Sequence, residues 1–403
     1  HLAILERAGG IVRMADTPER LESVRAELEG AALVIDAVFG IGLERAVEGH
    51  FADVIAAINR APQRLALDIP SGVHTDTGRV LGVAVDAQRT VAMAALKPAL
   101  VSAPGFAHAG EVIVVDIGVP PGVLATQGVR AGVIEDRDVA GWLPESAAMD
   151  HKGTRGHVLV IGGMPGMRGA GRLASIAALR AGAGLVTLAS ADQPTADDSV
   201  MTRSISGELG ELLQRKAAIV IGPGLGTSAD AQRWVAEVLA AGVPAVLDAD
   251  ALRDPSAIAN AAGPIVITPH PGEAARLLGT TAEAIEADRL AAARALAAKT
   301  RAVVVLKGAR TIICDGTLGD DYCSINPTGG PALGTGGSGD VLSGVIGALL
   351  AQRVSAHEAA CAGVFVHGRA GDNLANEHGE RGVVSSDLPL AIAGVLREIP
   401  RPA

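Results

Sequence analysis

Gly334-Thr-Gly-Gly-Ser-Gly-Asp340 runs directly into Val341-Leu-Ser-Gly-Val-Ile-Gly-Ala-Leu-Leu350. A glycine-rich turn that opens a helix presents unpaired backbone N–H groups, and the positive end of the helix dipole, to an anion. Asp340 stands where a bound phosphate would meet an acceptor hydroxyl. A carboxylate there is poorly placed to hold phosphate but well placed to take the proton from that hydroxyl. The plainer alternative is an aspartate capping an ordinary helix, which does not call for four glycines ahead of it.

The segments upstream supply a sheet for this turn. HVLVIGG, LVTLAS, AAIVIGPG, PAVLDAD, PIVITPH and AVVVLKG are short apolar runs ending in Gly, Pro or Asp, with helical stretches such as GRLASIAALRAGAG between them. That alternation predicts parallel strands covered on both faces. Ligands of such sheets sit beyond the carboxyl ends of the strands. Lys307-Gly-Ala-Arg-Thr311 ends one strand, and a lysine followed by glycine and a hydroxyl there suits a diphosphate. Gly222-Pro-Gly-Leu-Gly226 and Thr268-Pro-His-Pro-Gly-Glu273 are turns expected at the same edge. His270, between two prolines, either orients a substrate or serves the turn. Asp248 and Asp250 of LDADAL are expected on opposite faces of a strand end, to assist a hydroxyl or Mg2+, or to cap the next helix.

Composition narrows the class. The chain has 403 residues, 49% hydrophobic but only 2% aromatic, with 51 Gly and a net charge of −10. Such a core must be aliphatic, and any adenine ring must be gripped by aliphatic side chains. Length implies two domains. No basic stripe or stacking aromatics point to nucleic acid, and no apolar run is long enough for a membrane span. Cys314, Cys323 and Cys361 lack metal-ligand spacing, so a disulfide scaffold and a zinc site are not expected. Cys314 and Cys361 read as core filler. Together these point to a soluble enzyme of a reducing compartment, the cytoplasm, with a Gly- and Ala-rich surface suited to a homo-oligomer.

Residues 1–125 read as a smaller α/β unit. Strands are expected at IVRMA, AALVIDAVFG, RLALDIPSG, RTVAMAAL and EVIVVDIG, with helices at TPERLESVRAELEG, capped by Thr17, and FADVIAAINRA. HLAILERAGG looks like the last turns of a helix, so the first domain is expected to lack its front. Asp36 and Asp68 each end a strand ahead of Gly, with Ser71 close by. That is an oxygen-only set suited to a hard cation or to ligand hydroxyls. PPGVLATQGVRAGV at 120–133 is the expected linker, and 126–403 the second domain. Of only five lysines, Lys97, Lys152 and Lys307 lie in apolar or Gly-rich surroundings that flag them for a role.

Asp36-Ala-Val-Phe-Gly-Ile-Gly, Asp68-Ile-Pro-Ser-Gly72, Ala95-Leu-Lys-Pro98, His151-Lys-Gly153, Gly222-Pro-Gly-Leu-Gly226, Leu247-Asp-Ala-Asp-Ala-Leu252, the His270 segment, Leu306-Lys-Gly308 and Gly336-Gly-Ser-Gly-Asp340 occur in one order. The set closely resembles the bifunctional NAD(P)H-hydrate repair enzymes, over nearly the whole chain. The resemblance implies a truncated Rossmann-like epimerase domain followed by a ribokinase-like, ADP-dependent dehydratase domain. It implies AMP, phosphate and NAD(P)H as products, with Mg2+ and K+ as cofactors. On this resemblance Asp340 is the catalytic base and contacts the hydrate, and Lys307, Gly308, Ala309, Arg310, Thr311 and Gly339 bind ADP. Ala170, Gly224 and His270 fall on hydrate-binding positions. In the first domain Asp36 and Ser71 match potassium ligands. The loop Gly40, Ile41, Gly42, Leu43, Glu44, Arg45 and Ala46, with Asp68, matches epimerase substrate contacts. The family's Asn-Asn-Gly-Gly-Asp loop precedes this chain's first residue, so impaired epimerase activity is expected. A ribokinase-type small-molecule kinase, acting on a hydroxyl substrate with ATP, is the alternative.

Overall fold

The computed structural model describes residues 2–120, 122–123, 126–145, 148–192, 194, 196–319 and 321–399. Contacts divide the chain into two units, 1–128 and 129–403. The first is built on four strands, β1 (Val34–Asp36), β2 (Arg64–Leu67), β3 (Arg89–Met93) and β4 (Glu111–Val115). They pair in that order, all parallel. Helix Pro18–Gly30 begins as expected, with Thr17 accepting from the Arg20 N–H at 3.3 Å and proline in the first turn. Helix His50–Ile58 buries Ile55 and Ile58 against Val34 and Val85.

One expected strand is absent. IVRMA at 11–15 forms no strand, and Ile11 and Met14 are exposed. Its apolar letters do not alternate toward a buried face, so composition misled where periodicity was lacking.

The second unit carries a ten-stranded sheet in the order β5-β14-β13-β12-β11-β10-β9-β6-β7-β8. The expected strands are β6 (His157–Ile161), β7 (Leu185–Ser190), β9 (Ala218–Ile221), β10 (Ala245–Leu247), β11 (Ile265–Ile267) and β12 (Val303–Leu306). From β8 to β12 all neighbours are parallel. The strand order runs outward from β6 to β8, then reverses at β9. Such a reversal opens a crevice at the carboxyl ends. Residues β9 to β12 are buried throughout, which is why they read as unbroken apolar runs.

Four strands were not expected. β5 (Ala131–Val133) lies inside the proposed linker and pairs with β14 (Cys323–Ile325). β8 (Met201–Ser204) is largely exposed and edge-placed. β13 (Ile312–Asp315) runs antiparallel to β12 and β14. Cys314 and Cys323 face each other in that ladder, with Cα atoms 4.5 Å apart, and form a disulfide. This corrects the expectation of reduced thiols. Their proximity comes from the strand register, which the spacing of cysteines along the chain does not reveal. Cys361 is free and buried, as expected.

Helix Ser338–Ala351 is buried along nearly its whole length. It lies against helix Arg168–Arg180 and against β9. At Gly344 a Cβ would run into the Ala174 carbonyl, so the two helix backbones approach to a distance only glycine allows. Gly344→Ala is expected to lower stability by about 2 kcal/mol, as overpacking does, seen as a lower midpoint in a denaturant titration.

Candidate active site

The glycine-rich turn meets the sheet at a buried ion pair. Asp248, directly after β10, is 1% exposed. Its Oδ1 lies 2.9 Å from Lys307 Nζ, and its Oδ2 accepts from Ser343 Oγ at 2.7 Å. Lys307 follows β12, and Ser343 sits one turn into the Ser338–Ala351 helix, so three elements converge on one carboxylate. Burial works against the Lys307 ammonium, but Asp248, Glu273 and Asp340 outweigh it and hold its pKa above the ordinary value. Asp248 and Asp250 do not flank a strand end as expected. The strand stops at Leu247, and Asp250 lies in the following turn, accepting from the Gly226 N–H at 2.8 Å.

Asp340 is the third residue of its helix, and Gly337 occupies the capping position. The simple capping role therefore does not apply. Among the described residues, no hydrogen bond or ion pair reaches its carboxylate. Burial, reinforced by Asp248 and opposed by Lys307, pushes its pKa up to about 6. A carboxylate in that state is ionised at neutral pH yet basic enough to take a proton. A Cβ built on Gly339 would lie 3.3 Å from Lys307 Nζ, so the ammonium rests directly against the turn.

The Lys307–Thr311 segment is held from behind. Gly308 has φ 143°, and a Cβ there would strike the Arg289 guanidinium. Arg289, 2% exposed, donates to the carbonyls of Leu306 and Lys307 at 3.3 and 3.2 Å. Thr311 Oγ1 donates to the Gly308 carbonyl at 3.0 Å, and Arg310 Nη1 to Pro327 O at 2.5 Å. A cleft of about 790 Å3 opens here, lined by His270, Lys307, Gly308, Ala309, Thr311 and Gly339 and by Pro331, Leu333, Leu342 and Val364. Among the described residues, no Phe, Tyr or Trp lines it.

His270 caps helix Pro271–Leu278. Its Nδ1 accepts from the Gly272 N–H at 3.0 Å, while Glu273 accepts from the His270 N–H at 2.8 Å. The exposed ring edge still borders the cleft. Ala170 and Gly224 meet each other instead: a Cβ on Gly224 would lie 3.1 Å from that of Ala170. They lie at the β6/β9 reversal and do not line the cleft.

His367 was not singled out from the sequence. It is buried, with Nε2 3.0 Å from Ser338 O and 3.2 Å from Ser338 Oγ, beneath the start of the helix. Burial, aided by Lys307, lowers its pKa to about 4 despite the Ser338 bond. Arg289 and Ser343 were also missed. Each owes its place to tertiary packing, and no local motif marks it.

In the first unit, Asp36 and Ser71 come together at the ends of β1 and β2. Ser71 donates through Oγ at 2.6 Å and through N–H at 2.8 Å to the two Asp36 oxygens. The Phe39 carbonyl lies 3.2 Å from Ser71 Oγ, so three oxygens converge. Asp68 adopts φ 68° and accepts from the Met93 N–H at 2.8 Å and from Lys97 Nζ. Residues Gly40–Ala46 form a mostly exposed loop, tied by Thr75 to the Ile41 carbonyl at 3.1 Å and by Glu44 to His74 at 3.3 Å. Of the flagged lysines, Lys97 and Lys307 are paired, whereas Lys152 is exposed.

An open, largely parallel sheet with a glycine-rich turn feeding a buried helix, and Lys and Asp at its strand ends, defines a ribokinase-like α/β domain. A ribokinase-like superfamily protein of Enterococcus faecalis shares this fold, with TM-score 0.58 at 26% identity over 68% of this chain and 98% of that one. An ADP/ATP-dependent NAD(P)H-hydrate dehydratase of Bacillus subtilis, co-crystallised with ATP/Mg2+, superposes with TM-score 0.58 at 29% identity, covering 66% and 98%. The NAD(P)H-hydrate dehydratase family model matches residues 158–393, and the YjeF-related protein N-terminus model matches residues 1–99. The bifunctional NAD(P)H-hydrate repair enzyme Nnr of Moorella thermoacetica is 40% identical over 99% of this chain and 79% of its own length. That of Escherichia coli is 37% identical over 89% and 70%. The chain belongs to the bifunctional NAD(P)H-hydrate repair enzyme family.

The lowered pKa of His367 gives a stability test. The neutral ring contributes fully above the unfolded value near 6.5, and that contribution is lost as pH falls toward the folded value of about 4. His157, lowered by burial and by Lys216 to about 4, adds a slope of the same sign. Wild type is expected to lose on the order of 3 kcal/mol through His367 across this window. His367→Gln should flatten that part of the stability–pH curve in chemical denaturation.

Proposed function

We propose that residues 126–403 catalyse ADP-dependent dehydration of (S)-NAD(P)H hydrate, and that residues 1–125 form the partner epimerase domain, which interconverts the R and S hydrates. The observation that carries this is the meeting of Lys307, Gly339 and Asp340 at the mouth of the glycine-rich turn. Adenine nucleotide would lie along Lys307, Gly308, Ala309, Arg310, Thr311 and Gly339, with its ring on the aliphatic cleft wall. The hydrate would approach by Ala170, Gly224 and His270.

Asp340 takes the proton of the hydrate's C6 hydroxyl as that oxygen attacks the terminal phosphorus of ADP, and the bond to AMP breaks. The ring nitrogen's electron pair then expels phosphate by cleaving the C6–O bond. Loss of a C5 proton to solvent leaves NAD(P)H. Lys307 and the turn's N–H groups stabilise charge on the transferred phosphoryl group. Mg2+ would arrive with the nucleotide phosphates, since among the described residues no three His, Cys, Asp or Glu side chains gather into a ligand set.

In the first unit, Asp36 and Ser71 would hold K+. The donor set suits it: three oxygens converge, and among the described residues Asp36 has no ion-pair partner. A bound cation there would supply positive charge to neighbouring substrate oxygens. Asp68 and Gly40–Ala46 would contact the hydrate being epimerised. A cytoplasmic location is proposed with this function.

A coupled assay with (S)-NADH hydrate and ADP tests the dehydratase. NADH, AMP and phosphate are expected in equal amounts, with activity falling as pH drops below about 6 and Asp340 is protonated. Asp340→Asn is expected to cut kcat at least ~100-fold, the usual contribution of a general base. ATP preference with a stable phosphorylated product would point to a small-molecule kinase instead.

A further inference from the structure

Two carboxylates approach one ammonium at the foot of the glycine-rich turn, and they are held very differently. Asp248 is 1% exposed, and both its oxygens are taken, by Lys307 Nζ at 2.9 Å and Ser343 Oγ at 2.7 Å. Ser343 Oγ also lies 3.0 Å from the Gly339 carbonyl, which joins the pair to the turn itself. Asp340 is half-buried, and among the described residues nothing bonds its carboxylate. Where two acids share a site, environments that separate their ionisation assign their roles. Asp248 is too enclosed to reach a substrate hydroxyl. Its chemistry must pass through Lys307.

We infer that Asp248, anchored by Ser343, is the positioning residue of the phosphoryl-transfer step: it holds the Lys307 ammonium against Gly339 and keeps it from pairing with Asp340. The inference rests on the proposed role of Asp340 as base. The ammonium is thereby fixed where the transferred group's charge develops. Among the described residues no hydrogen bond or ion pair ties Asp340 to a cation, and it remains a competent proton acceptor. Other charged or titratable groups at this point do not replace Asp248. Glu273, on helix Pro271–Leu278, is engaged by the His270 N–H. His367, on helix Ala356–His378, is engaged by Ser338.

Removing the Asp248 charge acts on Asp340 twice in the same direction. It deletes a like charge and releases Lys307 to pair with Asp340. Both changes make Asp340 a weaker base. In the full-length chain, Asp248→Asn is therefore expected to shift the acidic limb of the kcat/KM–pH profile about one unit toward acid, and to lower kcat at neutral pH about tenfold or more. Ser343→Ala should move the limb the same way by a smaller amount. A role confined to folding would change the melting temperature and leave the limb where it is. An unmoved limb in folded Asp248→Asn overturns the inference. Should that variant not fold, an unmoved limb in Ser343→Ala does so. Failure of the underlying reading looks different: Asp340→Asn would then keep wild-type activity, whatever Asp248→Asn does.

Discussion

The ion pair between Asp248 and Lys307 is the constraint around which the second unit is organised. Burying a carboxylate and an ammonium costs several kcal/mol per ion unless each is closely paired and further hydrogen-bonded. Here the pairing closes at 2.9 Å, and Ser343 takes the remaining oxygen. To bring those three groups together, β10, β12 and the helix that follows the glycine-rich turn must all be in register. The close approach of that helix at Gly344, and the Arg289 clamp behind Lys307, both serve that register. A site assembled from the ends of separate strands inherits its geometry from the sheet, which is why the chemistry lies at this edge.

Electrostatics then divides the labour. One acid is committed to the ammonium; the other, one residue from Gly339, has no hydrogen bond or ion pair among the described residues and a raised pKa. The first unit uses a comparable economy on a smaller scale. Among the described residues, its buried Asp36 is satisfied by Ser71 and by the Val38 N–H, so dipoles solvate its charge.

Most of this was legible in the sequence wherever function and local structure coincide. The glycine-rich turn, the apolar strands ending in Gly, Pro or Asp, and Lys307 at a strand end all carry local signals. Asp36 and Asp68 likewise fall at strand ends where the pattern put them, with Ser71 in the turn close by. What escaped was set by tertiary contact. Ser343 looks like any small residue on a buried helix, and Arg289 like a surface arginine until the fold encloses it. The β13–β14 ladder that joins Cys314 to Cys323 consists of strands too short to show a period. IVRMA erred the other way, apolar in content but with no partner strand.

The most direct measurement is a crystal structure of the full chain with ADP and Mg2+ bound. The phosphates are expected at the glycine-rich turn, the terminal one between Lys307 Nζ and the Gly339 N–H, with Asp340 facing the open side and Asp248 still bonded to Lys307. Nucleotide bound elsewhere, or phosphates at the turn with Lys307 swung onto Asp340, would contradict it.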